Sequence, residues 1–370
     1  MKAVGIIFTN IHDINVPELV RIRTMGSIPF AGRYRLIDFP LSNLVNSGID
    51  TVGIITKNNY QSLMDHVGSG KDWDLARKDG GIIFLPPFSD LGNDSIYNSR
   101  LEALKGAINF IERADEDYVV MTDCDNIARL NFNDIIEYHI RNRADITLVY
   151  KETMTKDISE EAVTSLQLND NRVVGLEYKI PEHNKKINVF TNIFILKKSL
   201  LQSIVLDAIA RNKHRFTTDV IVNNLKSMNI IGYKHEGFYA GITSLQAYYD
   251  SSMAILNPDI NHELFGDRSV FTKIRDSAPT KYGNNAVCKN SMVADGCIIE
   301  GHIENSIIFR NVKVARGAVI KNSIVMQDTV IGENAMLNCI ITDKNVVIRD
   351  KKILSGSENH PFYISKGIMI

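Results

Sequence analysis

The tetrad Asn-Ser/Cys-apolar-apolar occurs four times near the end of the chain, at Asn290-Ser291-Met292-Val293, Asn305-Ser306-Ile307-Ile308, Asn322-Ser323-Ile324-Val325 and Asn338-Cys339-Ile340-Ile341. Its starts lie 15, 17 and 16 residues apart. Between the tetrads come further apolar doublets, Ile298-Ile299, Val319-Ile320 and Val330-Ile331, at a spacing of five or six residues. This rhythm predicts about three short strands per coil of a β-helix, in which each strand is buried by the coils on either side. Antiparallel strands joined by Asn and Gly turns would not keep so regular a period.

Earlier residues follow another pattern. The apolar runs 3–8, 51–56, 118–121, 146–150, 173–176 and 192–196 alternate with helical stretches at 40–47, 101–111, 198–211, 217–228 and 243–256. Such alternation predicts an α/β domain with a mostly parallel sheet. Ligands of these sheets bind beyond the carboxyl ends of the strands, which places the loop after Phe8 and the turn Asp123-Cys124-Asp125 on the functional edge. From Asn257 to Asn285 the periodicity fades, with Pro258, Gly266, Pro279 and Gly283 as breakers. The chain is therefore read as an α/β domain over 1–256, a linker over 257–285 and a β-helix over 286–370.

Charge narrows the range of partners. Across 370 residues, 42 Lys plus Arg face 43 Asp plus Glu, and no basic tail is present, so the footprint of a nucleic-acid binder is missing. No stretch approaches the ~20 apolar residues of a membrane span, and MKAVGIIFTN is too short and lacks the cleavage site of a signal peptide. A cytoplasmic protein is expected. Cys124, Cys288, Cys297 and Cys339 form no CxxC pair and are read as buried thiols rather than zinc ligands or disulfide partners.

The segment Ile28 to Thr56, IPFAGRYRLIDFPLSNLVNSGIDTVGIIT, resembles the substrate-domain opening of bacterial glucose-1-phosphate adenylyltransferases, also called ADP-glucose pyrophosphorylases. The likeness covers almost the whole chain, including Gly80-Gly81 to Pro87, residues 118–127, Gly237 to Tyr249 and the Asn-Ser tetrads. It implies a Rossmann-like nucleotidyltransferase domain followed by a left-handed hexapeptide β-helix, assembled as a tetramer. The implied reaction makes ADP-glucose and pyrophosphate from ATP and glucose 1-phosphate with Mg²⁺, for glycogen synthesis.

Adenylyl transfer needs a phosphate cradle, a cation, and carboxylates that hold the cation between the reacting oxygens. The family's cradle, GGxGTRLxPLT, stands where this chain reads FTNIHDINVPELVRIRT. No glycine lies between Gly5 and Gly26 to let backbone amides close on phosphates, and Asp13 would repel them. The family's R-A-K-P becomes Arg23-Thr24-Met25-Gly26, so the neutral Met25 replaces a lysine. Its Y-x-G-T-A-D falls on Tyr97 to Glu102, where Arg100 and Leu101 replace small residues.

The resemblance identifies Asp125 with a Mg²⁺-binding aspartate, but the partner carboxylate falls on Gly241, leaving Asp123 as a neighbouring substitute. On the sugar-phosphate side Glu177 and Lys179 match, Tyr178 replaces a second glutamate, and Asn192 replaces a glycine. In the alternative readings, Asp123 and Asp125 are turn-forming acids, and Glu177 and Lys179 are solvated charges.

The family includes a non-catalytic, D-type subunit that pairs with a catalytic one, and this chain resembles that type. The resemblance then implies a regulatory, catalytically silent subunit with no metal or cofactor of its own. Mg²⁺ would belong to the catalytic partner in a hetero-oligomer, a tetramer, with homo-oligomers as the alternative for the chain alone. Arg21, Arg23, Arg33 and Arg35 form a candidate effector or anion site, because guanidinium forks suit anions; ion pairs between domains or subunits are the alternative. Two further readings are an active nucleotidyltransferase with an altered cradle using Asp123 and Asp125, and a β-helix acyltransferase with His302 as its base.

Overall fold

AVGIIF forms strand β1 (Ala3–Phe8), buried along its whole length as an unbroken apolar run requires. The computed structural model describes residues 2–87, 97, 99–155, 163–179, 184–267 and 269–370; the Lys179 side chain, and Asn98 of the motif at 97–102, lie outside the described residues. After β1 come β2 (Thr51–Ile55), β3 (Gly81–Leu85), β4 (Tyr118–Asp123), β5 (Asn126–Ala128), β6 (Ile146–Met154), β7 (Val163–Asn169), β8 (Arg172–Lys179), β9 (Lys186–Lys197), β10 (Ile230–Lys234) and β11 (Tyr239–Gly241).

Nine of these share one sheet, in the order β3-β2-β1-β4-β9-β6-β10-β8-β7. The half β3-β2-β1-β4 is parallel, as predicted, and carries the functional edge. Beyond β4 antiparallel pairs enter, because β9 returns against both β4 and β6, and β7 and β8 form a hairpin. Helix Asp38–Asn46 packs close to β1, where a Cβ on Gly5 would lie 2.7 Å from Leu44 Cδ1.

By contacts the chain divides into two compact units, residues 1–13, 23–27 and 37–241 in the first, and residues 14–22, 28–36 and 242–370 in the second. Thus 242–285, read partly with the α/β domain and partly as linker, clusters with the β-helix. Helix Leu245–Ala254 fixes the early segment, its Tyr248 hydroxyl donating to the Pro29 carbonyl at 2.7 Å. Within the stretch read as linker, Pro258–Phe265 is a helix: Asn257 accepts the Asp259 N–H at 2.9 Å, and a proline in the first turn starts a helix rather than breaking one. Among the described residues, no helix is long and apolar enough to cross a membrane.

The repeat region is a left-handed parallel β-helix of three parallel sheets, each of five strands. Ile299, Ile303, Ile308, Val314, Ile320, Val325, Ile331 and Leu337 fill its interior. The tetrads have a physical cause. Asn290, Asn305 and Asn322 take left-handed backbone angles at one corner, φ 42°, 51° and 46°, which asparagine tolerates. Their side chains form a ladder, Asn290 Nδ2 donating to Asn305 Oδ1 at 2.6 Å and Asn305 Nδ2 to Asn322 Oδ1 at 2.8 Å. Each serine hydroxyl accepts the backbone N–H of its counterpart in the next coil, Ser291 from Ser306 and Ser306 from Ser323, both at 3.1 Å.

The fourth coil departs from the tetrad reading by one residue. Ser323 Oγ accepts the N–H of Ile340, not of Cys339, and Cys339 itself takes the left-handed corner at φ 53°. Asn338 instead pairs with Lys321 inside a strand. Hydrogen-bond register, rather than residue type, sets where a coil turns. Cys288 also differs from its expected burial: it is exposed, in a first-coil strand that is covered on one side only.

His139, in helix Phe132–Arg141, is buried with Nδ1 2.8 Å from Thr147 Oγ1. Burial, then Lys197, lowers its pKa to about 4. An unfolded chain protonates this histidine near 6.5, so its contribution to stability is complete above that pH and is lost as pH falls toward 4. Urea unfolding at pH 7 and pH 5 should show a loss about 1–2 kcal/mol larger for the native sequence than for His139→Gln. Equal losses would rule out the buried neutral ring.

Candidate functional site

Register across β1 and β4 brings the site together. Phe8 pairs with Asp123, so the loop leaving β1 and the acidic turn leaving β4 emerge side by side at the carboxyl ends of parallel strands. On the far side of the turn Gly241 of β11 pairs with Asn126 of β5. The position facing the acidic turn therefore carries no carboxylate.

The loop after β1 closes on its own side chains. Asn10 Oδ1 accepts the Lys57 N–H at 3.0 Å, and Asn10 Nδ2 donates to Asp13 Oδ2 at 2.6 Å. The other Asp13 oxygen accepts the N–H of Met25 at 3.3 Å, and Met25 is buried. A carboxylate thus takes the backbone amide that a phosphate cradle would leave open. Burial pushes the Asp13 pKa up, and the bonds from Asn10 and Met25 oppose this.

Two residues that sequence reasoning did not assign to the site meet the aspartates. His12 Nδ1 lies 2.7 Å from Asp125 Oδ2 and 3.6 Å from Asp123 Oδ2. Arg100 opens helix Arg100–Gly106, which Ser99 caps by accepting the Glu102 N–H at 3.2 Å. Its Nη2 donates to both oxygens of Asp123, at 2.8 and 2.6 Å. The guanidinium is stacked between Phe8 and Phe194, 5.1 and 5.0 Å from their ring centroids. Burial alone would lower the His12 pKa, but the charge and hydrogen bond of Asp125, followed by the Asp123 charge, raise it to about 9. The cluster therefore sets two acidic side chains against two basic ones, joined by close polar contacts. Burial pushes the Asp123 carboxyl up, with Arg100 and His12 pulling against it.

Magnesium, which the family resemblance implies, needs near-octahedral oxygen ligands at about 2.0–2.1 Å. His12, Asp123 and Asp125 lie close enough together to surround an ion, and Asp125 Oδ1 is buried with no hydrogen-bond partner among the described residues. The rest of the set does not suit Mg²⁺. Both Asp123 oxygens accept from a guanidinium, an imidazole takes the other Asp125 oxygen, and the facing position is Gly241.

The remaining sequence candidates lie on other elements of the chain. Glu177 is on β8, where Gln167 of β7 donates to its carboxylate. Asn192 sits at an irregularity in β9 with φ 58°, a left-handed backbone that glycine adopts freely and asparagine tolerates. The four arginines are split between the units: buried Arg23 belongs to the first, and Arg21, exposed Arg33 and buried Arg35 to the second. Arg33 Nη2 donates to the Tyr34 hydroxyl at 3.0 Å. His302 is on the outer face of a β-helix strand, 3.9 Å from Glu304.

An α/β sheet with this switch-point turn, followed by a hexapeptide β-helix, defines a nucleotidyl transferase architecture. The nucleotidyl transferase family model matches residues 21–257, and the model for the GlmU-like C-terminal hexapeptide matches residues 277–360. The glycogen biosynthesis protein GlgD of Bacillus subtilis (strain 168) is 31% identical over 375 residues, spanning 100% of this chain and 97% of that protein. GlgD of Geobacillus stearothermophilus is 34% identical over 367 residues, 99% of this chain and 96% of its own length. A glucose-1-phosphate adenylyltransferase of Clostridium perfringens (strain SM101 / Type A) is 31% identical over 309 residues, 82% and 79% of the two chains. The chain belongs to the glucose-1-phosphate adenylyltransferase family of nucleotidyl transferases.

Proposed function

We infer that this chain is a regulatory, catalytically silent subunit of a cytoplasmic glucose-1-phosphate adenylyltransferase. It assembles with a catalytic subunit, as a tetramer, and modulates ADP-glucose synthesis from ATP and glucose 1-phosphate for glycogen biosynthesis. The observation that carries this reading is the loop after β1, where Asp13 accepts the Met25 amide. An incoming triphosphate would have to displace a half-buried carboxylate and would find the neutral Met25 where the family has a lysine. The names of the relatives, glycogen biosynthesis protein and glucose-1-phosphate adenylyltransferase, support the pathway.

Regulation would act through differential binding: favouring the active arrangement of the partner raises its apparent substrate affinity or turnover. Mg²⁺ then serves the partner's chemistry. Arg21, Arg23, Arg33 and Arg35 remain the proposed anion-sensing residues, and of these Arg33 and Arg21 are exposed. Pyrophosphate release from ATP, glucose 1-phosphate and Mg²⁺ is the test. The chain alone should give none, and adding it to the catalytic subunit should change the rate and shift both proteins to an earlier elution volume. Pyrophosphate from the chain alone, lost in Asp125→Ala, would instead establish an active transferase.

A further inference from the structure

We propose that His12 and Arg100 stand in for a divalent cation between Asp123 and Asp125, so that this chain carries Asp125, which matches the family's metal-binding aspartate, without binding a metal there. The inference rests on the reading of the chain as non-catalytic. Two like charges at a strand end require counter-charge, and here the chain supplies it from two distant places, the loop after β1 and the first residue of helix Arg100–Gly106. Arg100 is not a surface charge resting on a carboxylate: it is buried, held between two aromatic rings, and bonded to both oxygens of Asp123. A dication entering the turn would have to break the His12–Asp125 bond and settle beside the guanidinium, where the low local dielectric makes repulsion strong. The matching Asp125 is then explained without retained chemistry, as the partner of His12, and Asp123 as the partner of Arg100.

Manganese(II) titration of the full chain, followed by electron paramagnetic resonance, tests this. The native sequence should show no saturable Mn²⁺ binding in the millimolar range, and its melting temperature should be the same in EDTA and in Mn²⁺. The variant His12→Gln/Arg100→Met leaves the aspartates uncompensated. It should bind Mn²⁺ at least about tenfold more tightly than the native chain and be stabilised by it, a gain that ligand binding to the folded state predicts. Saturable binding by the native chain that Asp125→Asn abolishes would overturn the proposal, as would a folded double variant with no gain in binding. If the double variant does not fold, the comparison of the native chain with Asp125→Asn decides alone. A native chain that binds Mn²⁺ through Asp125 yet releases no pyrophosphate sinks this inference and leaves the silent-subunit reading standing; pyrophosphate release sinks that reading.

Discussion

Arg100→Met should destabilise the protein by about 3–5 kcal/mol, the range expected when one partner of a buried ion pair is removed and the other stays behind. Methionine keeps much of the apolar stem between Phe8 and Phe194, so the loss falls mainly on Asp123, whose oxygens have Arg100 Nη2 at 2.8 and 2.6 Å. His12, 3.6 Å from Asp123 and already bonded to Asp125, compensates poorly. Asp123→Asn in the same background removes the stranded charge and should restore most of the stability. Chemical denaturation of the two single variants and the double variant gives the coupling directly. If Arg100→Met changes stability by less than about 1 kcal/mol, Asp123 is not held as an ion by this contact.

The parts of this site that the sequence displayed are those expressed as losses. A missing glycine run, Met25 and Gly241 stand out against a family motif because each lacks a group the chemistry needs. The gains were harder to read. His12 and Asp125 are 113 residues apart, and Arg100 and Asp123 are 23 apart. Only the parallel pairing of β1 with β4 makes the first pair neighbours. Arg100 stood out as a bulky replacement for a small residue, although its charge, opposite in sign to Asp123 and Asp125, was the stronger signal. The same limit separates the arginines at 21–35. Closeness in sequence groups them, and the division into compact units assigns Arg23 to one and Arg21, Arg33 and Arg35 to the other.

Pattern carried further in the β-helix, because its stabilising contacts repeat at short range. Even so, the fourth tetrad sits one residue out of step: Asn338 lies in the strand paired with Lys321, and the left-handed corner falls on Cys339. Pro258 misled in the opposite direction, since a breaker inside a helix is a starter in its first turn.

The same repetition makes Ile320→Ala the second large effect. Ile320 is fully buried and lies in register between Ile303 of the preceding coil and Leu337 of the next. Removing its outer carbons leaves a cavity that neighbouring strands, tied on both edges by parallel hydrogen bonds, relax into only partly, for a cost of about 2–5 kcal/mol. In a stack where each coil is buried by its neighbours, a cavity in a central coil weakens two interfaces at once, whereas one at an end weakens a single interface. Hydrogen exchange should therefore show amide protection falling across the coils on both sides of residue 320. Val293→Ala is the comparison: Val293 is partly buried in a first-coil strand paired with another strand on one side, and its effect should be smaller. Equal losses for the two variants would mean that coil position carries no weight, and that stability in this region is set residue by residue rather than by stacking.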